Sequence, residues 1–321
     1  MNYPDIFIPE RADPYVFKGN DNMYYFTASY PAFKNAESGY DRILLRRSET
    51  VLGLMDAEEH TIWHAHKKGE MAKHIWAPEI HFIGGKYYIL FTAADSENKW
   101  NIRPHMLRCE GDDPINDKWT ELGRVKATEG DDFSFCDFSL DMTYFNHNNK
   151  HYLVWAQKDG DSSIFMAEID EKNPIQLISK PILLTKPEYP WELIRFRVNE
   201  GPAVLKLENK VYIYFSASGT GSEYCMGMLW ADADSDLMNK DSWHKLPEPQ
   251  LSTEDLTDQS GPGHNSFVWD ENGNLVIVYH ARPFSHLKEK CGTWFDDPLY
   301  DPCRHARIKE VKIINGEPVL K

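Results

Sequence analysis

An all-β chain folded as one five-bladed β-propeller is what this sequence predicts. Two observations carry the prediction: a two-strand cassette that recurs five times, and near-equal spacing that uses up all 321 residues. Repeats of this length with several short strands each are the signature of propeller blades, which cannot bury their faces alone and must stack around an axis.

Each cassette has a small or special cluster, an apolar stretch, a turn, and a run rich in Tyr, Ile, Leu, Val and Phe. The first joins Ala12-Asp13-Pro14-Tyr15-Val16-Phe17 to Met23-Tyr24-Tyr25-Phe26-Thr27-Ala28, and the second joins Trp76-Ala77-Pro78-Glu79-Ile80 to Tyr87-Tyr88-Ile89-Leu90-Phe91. The third joins Ser139-Leu140-Asp141-Met142-Thr143 to Tyr152-Leu153-Val154-Trp155-Ala156. The fourth runs from Asn199-Glu200-Gly201-Pro202-Ala203 to Val211-Tyr212-Ile213-Tyr214-Phe215, and the fifth from Gly263-His264-Asn265-Ser266-Phe267 to Leu275-Val276-Ile277-Val278-Tyr279. β-branched and aromatic residues in period-two alternation, bounded by turns such as Gly84-Gly85 and Asn272-Gly273, read as strands.

Taking Asp13, Pro78, Asp141, Glu200 and His264 as equivalent positions, the steps are 65, 63, 59 and 64 residues. A β-sandwich or two unrelated β-domains would not place one cassette at five such intervals. The domain reading is therefore a single propeller over residues 1–321.

Composition narrows the function. Acidic residues outnumber basic ones, 50 to 35, for a formal charge of -15. Such a surface repels a phosphate backbone, so nucleic acid and anionic membrane are excluded as partners and a neutral substrate is expected. Ten Trp, sixteen Tyr and sixteen Phe suit stacking on sugar faces, although aromatic-rich β cores look similar. Five scattered cysteines without a Cys-x-x-Cys pair read as reduced thiols, and residues 1–11 lack a basic and then apolar leader pattern. The expected compartment is cytoplasmic, or secreted if a leader has been removed.

Innermost strands line the axis of a propeller, so equivalent positions on them converge on one point. Three of the five are acids, Asp13, Asp141 and Glu200, although they lie 128 and 59 residues apart in sequence. Singly, Asp13-Pro14 reads as a loop start and Glu200-Gly201-Pro202 as a turn with a solvated acid. Together they match the needs of glycosidic cleavage: one carboxyl protonated to donate to the leaving oxygen, one ionised to activate water or attack the sugar. A neighbouring negative charge raises a carboxyl's pKa, so Asp141 is placed to keep Glu200 protonated.

The motifs Arg11-Ala12-Asp13-Pro14, Trp76-Ala77-Pro78-Glu79, Leu140-Asp141-Met142 and Asn199-Glu200-Gly201-Pro202 occur in that order, followed by Gly263-His264-Asn265-Ser266 and His280-Ala281-Arg282. In this the chain resembles glycoside hydrolase family 43 over essentially its full length. The resemblance implies an inverting hydrolysis with Asp13 as general base, Glu200 as general acid and Asp141 as modulator of the acid's pKa. It also implies an axial ion, calcium or another, at or near His264, whose plainer reading is a hydrogen-bonded core histidine. No cofactor is otherwise required.

Trp76 and Phe33 are the candidates for stacking on a sugar, and Arg282 for holding a hydroxyl or carboxylate through its planar fork. The segment from Asp297 to Arg307 resembles the closing stretch of the family's arabinofuranosidase branch, where Asn more usually stands in place of Cys303. The expected activity is thus release of terminal α-L-arabinofuranosyl units from arabinan or arabino-oligosaccharides. The expected partner is an arabinose- or xylose-containing oligosaccharide derived from plant cell walls. A β-xylosidase or endo-α-1,5-arabinanase would share the same acid and base, because loops around the axis decide the sugar. A non-catalytic carbohydrate-binding propeller is the rival of another class, and the three intact acids argue against it.

Overall fold

In the computed structural model, residues 3–32, 39–287 and 297–321 are described. The expected propeller is what forms. Blade 1 consists of Ala12–Lys18, Tyr24–Ser29, Arg42–Ser48 and His60–His64, hydrogen-bonded in that order from the axis outward. Blade 2 runs from Lys73–Ile83 out to Trp119–Arg124, blade 3 from Ser139–His147 to Ile182–Thr185, and blade 4 from Asn199–Lys206 to His244–Lys245. Blade 5 contributes Gln259–Trp269, Leu275–Pro283 and His305–Glu310.

The ring closes where the N-terminal segment joins blade 5. Ala306 exchanges backbone hydrogen bonds with Ile8 (3.2 and 3.0 Å), and the Phe7 N–H also donates to its carbonyl at 2.8 Å. The buried Arg307 then holds Asp5 at 2.6 Å, so both ends of the propeller are fastened to one sheet.

Each second strand is apolar on both faces because blades pack face to face, as in any sheet covered on two sides. Tyr87, Ile89 and Phe91 pack with blade 1 around Tyr25, Ile43 and Trp63, whereas Tyr88 and Leu90 pack with blade 3 around Leu153 and Trp155. Tyr152 and Val154 meet Val211, Ile213 and Phe215 of blade 4; Tyr212 and Tyr214 meet Ile277 and Tyr279 of blade 5. Val276 and Val278 complete the circle against Val16, Tyr24 and Phe26. The period of two therefore sorts side chains between two inter-blade cores rather than between core and solvent. Full burial of such side chains contributes roughly 1.5–3 kcal/mol each, which binds the blades into one rigid frame around the axis. Among the described residues no helix is long and apolar enough to cross a membrane.

Candidate active site

One backbone feature recurs in the innermost strand of every blade. Asp13, Ala77, Asp141, Gly201 and His264 all have positive φ, between 43° and 55°. Each begins a bulge in the pairing of the first two strands, which resumes three residues after the last paired position. Left-handed backbone is unfavourable for residues with a Cβ, and its repetition around the axis marks where strain is tolerated to aim side chains.

This geometry corrects the register of two sequence-predicted positions. Gly201, not Glu200, is the equivalent of Asp13 and Asp141, and Ala77, not Pro78, is their equivalent in blade 2. Glu200 pairs with Ser216 one step earlier, where blades 1, 2, 3 and 5 have Ala12, Trp76, Leu140 and Gly263. Its carboxyl reaches the axis from a neighbouring register, and remains partly accessible while Asp13 and Asp141 are buried.

The strained residues are stitched blade to blade. The Ala77 N–H donates to Ser29 Oγ (2.9 Å), the Asp141 N–H to Thr92 Oγ1 (3.2 Å), the His264 N–H to Ser216 Oγ (2.7 Å) and the Asp13 N–H to His280 Nδ1 (3.1 Å). The fifth amide, on Gly201, donates instead to Asp141 Oδ2 at 3.0 Å. A Cβ on Gly201 would stand 3.2 Å from His264 Nδ1 at a φ of +55°. Gly201→Ala is therefore expected to cost about 1–2 kcal/mol, the usual penalty for a left-handed residue with a Cβ, measured by urea denaturation.

Asp13 lies between two histidines and an arginine. Its Oδ2 accepts from Ser29 Oγ at 2.6 Å, while Oδ1 is 3.4 Å from His264 Nδ1, 3.3 Å from His280 Nδ1 and 3.7 Å from an Arg304 guanidinium nitrogen. Burial pushes the carboxyl up, but His264, His280 and Arg304 outweigh it and hold Asp13 far below the ordinary carboxylate range. His280 contributes least as a charge. Its Nδ1 accepts from the Asp13 N–H and so carries no proton, and burial pushes the ring down to about 4.

The other two acids are pushed the opposite way. Burial raises Asp141 well above the ordinary range, and the charges of Glu200 and Asp13 add to the effect. Burial and Asp13 together bring Glu200 up to about 7, against the opposing Tyr224 hydroxyl and Arg304. Tyr224 donates to Glu200 Oε1 at 2.8 Å, and its ring stacks on His280 at 5.5 Å. Asp141 and Glu200 thus titrate as a pair that keeps a proton near neutral pH, while Asp13 stays ionised.

Asp13, Asp141, Glu200, His264, Tyr224 and Arg304 line one cavity of about 450 Å³, within the range of small-molecule sites. Trp76 lines it too, yet is only 7% exposed. The His74 ring stacks on it at 4.1 Å, and Tyr40 and Trp100 approach at steep angles, so little of its face is left for a sugar. Trp100, 45% exposed, is the tryptophan of this wall that meets solvent. Arg282 does not line the cavity; it is buried with its guanidinium 3.1 Å from where a Gly261 Cβ would lie. The arginine at the cavity is Arg304, within the closing segment already noted. Phe33 lies outside the described residues. Glu79 turns away from the cavity to pair with His81 at 2.7 Å.

Among the described residues no group of three or more His, Cys, Asp or Glu is arranged to hold a metal. His264 Nδ1 faces the carboxylates of Asp13 and, at 3.8 Å, Asp141. An axial ion would accordingly be held largely through water, as calcium tolerates.

The family model described as glycosyl hydrolases family 43 matches residues 6–318. An extracellular exo-α-(1→5)-L-arabinofuranosidase of Streptomyces avermitilis is 41% identical over 307 residues, 94% of this chain and 59% of its own length. Another so named, from Streptomyces chartreusis, is 42% identical over 89% of this chain and 84% of its own length. The crystal structure of an α-L-arabinofuranosidase from Lactobacillus brevis superposes with a TM-score of 0.87 at 40% identity, covering 99% of this chain and 96% of that one. The chain thus spans less than two thirds of the first of these relatives. Two of the three are named extracellular, so the cytoplasmic reading of the cysteines finds no support in them.

Proposed function

We infer the reaction from one premise: this chain belongs to glycosyl hydrolases family 43. Its activity, on this reading, is exo-acting release of terminal α-L-arabinofuranosyl units from arabinan-type oligosaccharides, with inversion at the anomeric carbon. The observation that carries the reading is the opposed charge state of two carboxyls in one cavity, Asp13 held ionised and Glu200 held up to about 7. An inverting hydrolase needs a base on one side of the sugar and a protonated acid on the other.

Glu200 donates its proton to the glycosidic oxygen as the C–O bond breaks. Asp13 takes the proton of the water whose oxygen bonds to the anomeric carbon from the opposite face. The low proton affinity of Asp13 suits this role, because that water becomes acidic only as it bonds to a carbon carrying positive charge. The next turnover requires Asp13 to release its proton and Glu200 to regain one from solvent. A calcium or other ion beside His264 would have a structural place there.

The arabinose assignment is supported by the names of the relatives and by the closing segment that carries Arg304. An aryl α-L-arabinofuranoside, an aryl β-D-xyloside, linear α-1,5-arabino-oligosaccharides and debranched arabinan, with products resolved by size and anomeric form, provide the test. The expected result is arabinose as sole early product, of inverted configuration. Preference for the xyloside, or early oligosaccharide products from arabinan, would replace this reading with β-xylosidase or endo-arabinanase activity; no turnover on any of them would favour a binding propeller.

A further inference from the structure

The inter-blade stitching has one irregular stitch, and it falls at the acids. Ser29, Thr92, Ala156, Ser216 and His280 occupy one register position on the second strands, each paired with the residue just before the left-handed one. Four of the five offer a side-chain acceptor, and each accepts the left-handed amide of the next blade. Ala156 in blade 3 offers none, and the amide that would have bonded there, that of Gly201, is the one that donates to Asp141.

We propose that Ala156 is a positioning residue: its lack of a side-chain acceptor releases the Gly201 amide to Asp141, and this ties the blade 3 carboxyl to the blade 4 strand that carries Glu200. The inference rests on the reading of Glu200 as the acid, and deepens it. Asp13 shows what the alternative looks like. It has the same backbone conformation as Asp141, but a hydroxyl from its own second strand, Ser29, donates to it at 2.6 Å. The counterpart of that hydroxyl beside Asp141 is the Ala156 methyl. One missing oxygen therefore does two things: it leaves Asp141 without a hydroxyl donor from its own blade, and it aims a backbone N–H from the acid's strand at Asp141 instead.

The surroundings make the position sensitive. Ala156 is fully buried among Trp76, Ala94, Ile102 and Leu140. A hydroxyl introduced there has apolar neighbours and is costly unless it pairs. Its partners by register are the Gly201 amide, as in the other blades, and the Asp141 carboxyl, as at Ser29.

Ala156→Ser tests this, with Ala156→Gly as the variant that adds no acceptor. In the ¹⁵N-labelled wild-type protein the Gly201 amide proton is expected to follow the titration of the Asp141–Glu200 pair. In Ala156→Ser that titration should fall to less than about half, because the amide has a neutral acceptor. In hydrolysis assays the alkaline limb of kcat/KM should move by about half a unit or more in Ala156→Ser, with KM nearly unchanged, and stay in place in Ala156→Gly. A wild-type Gly201 amide that does not titrate overturns the proposal, and so does one that titrates equally in Ala156→Ser. Should Ala156→Ser fail to fold, a wild-type Gly201 amide that does not titrate still overturns the proposal. Absence of hydrolysis in the wild type would sink the enzymatic reading alone, because the amide readout does not depend on turnover.

Discussion

Replacing Asp13 with Asn is expected to lower kcat/KM roughly 10²–10⁴-fold, the usual contribution of a positioned general base. Asn keeps the shape and can still accept from the Ser29 hydroxyl, so the loss reports the charge rather than a hole. The same substitution is expected to destabilise the fold at neutral pH, because His264 and Arg304 lose the carboxylate they face while remaining buried. The sign of its pH dependence follows from the depressed pKa. A carboxyl held below its unfolded value stabilises the protein above that value, about 4, and loses the contribution as pH falls through the range beneath it. The stability gap between wild type and Asp13→Asn should therefore be full at pH 7 and begin to close below about pH 4. Urea denaturation at a series of pH values measures it, and an equal gap at pH 7 and pH 3 would show that Asp13 is not held by these two partners.

Why some of this was legible in the sequence and some not has a physical explanation. The blades were legible because their second strands are buried on both faces, which forces unbroken runs such as Tyr87-Tyr88-Ile89-Leu90-Phe91 at a fixed interval. Convergence of Asp13, Asp141, Glu200 and His264 on one cavity was legible for the same reason, since a repeat fixes which residues face the axis.

The one-residue offset of Glu200 was not, because identity of charge was a misleading guide to register. A better signal was present: Pro14, Pro78 and Pro202 each follow the left-handed residue, and aligning on them selects Gly201. Arg304 and Trp100 escaped because they lie in loops outside the cassette, where no period predicts position. Trp76 does line the cavity, but a sequence does not show that His74, two residues earlier, covers its face.

The second large effect separates acid from base. Glu200→Gln removes the transferable proton but keeps a group that can accept from Tyr224, so structure around the cavity should persist. On arabino-oligosaccharides, whose departing sugar alkoxide needs protonation, kcat is expected to fall about 10²–10⁴-fold. On an aryl arabinofuranoside with an acidic phenol the loss should be far smaller, because that leaving group departs without help. Asp13→Asn, by contrast, should be equally damaging on both substrates, since water must be activated whatever leaves. The pH profile gives an independent sign. A group pushed up to about 7 that must be protonated for turnover makes wild-type kcat/KM fall as pH rises through that value, while Asp13 stays ionised throughout. With the aryl substrate, Glu200→Gln should lose this alkaline limb. An unchanged limb in that variant would assign the titration to Asp141 or another group, and equal losses on the two substrates would remove Glu200 from the role of acid.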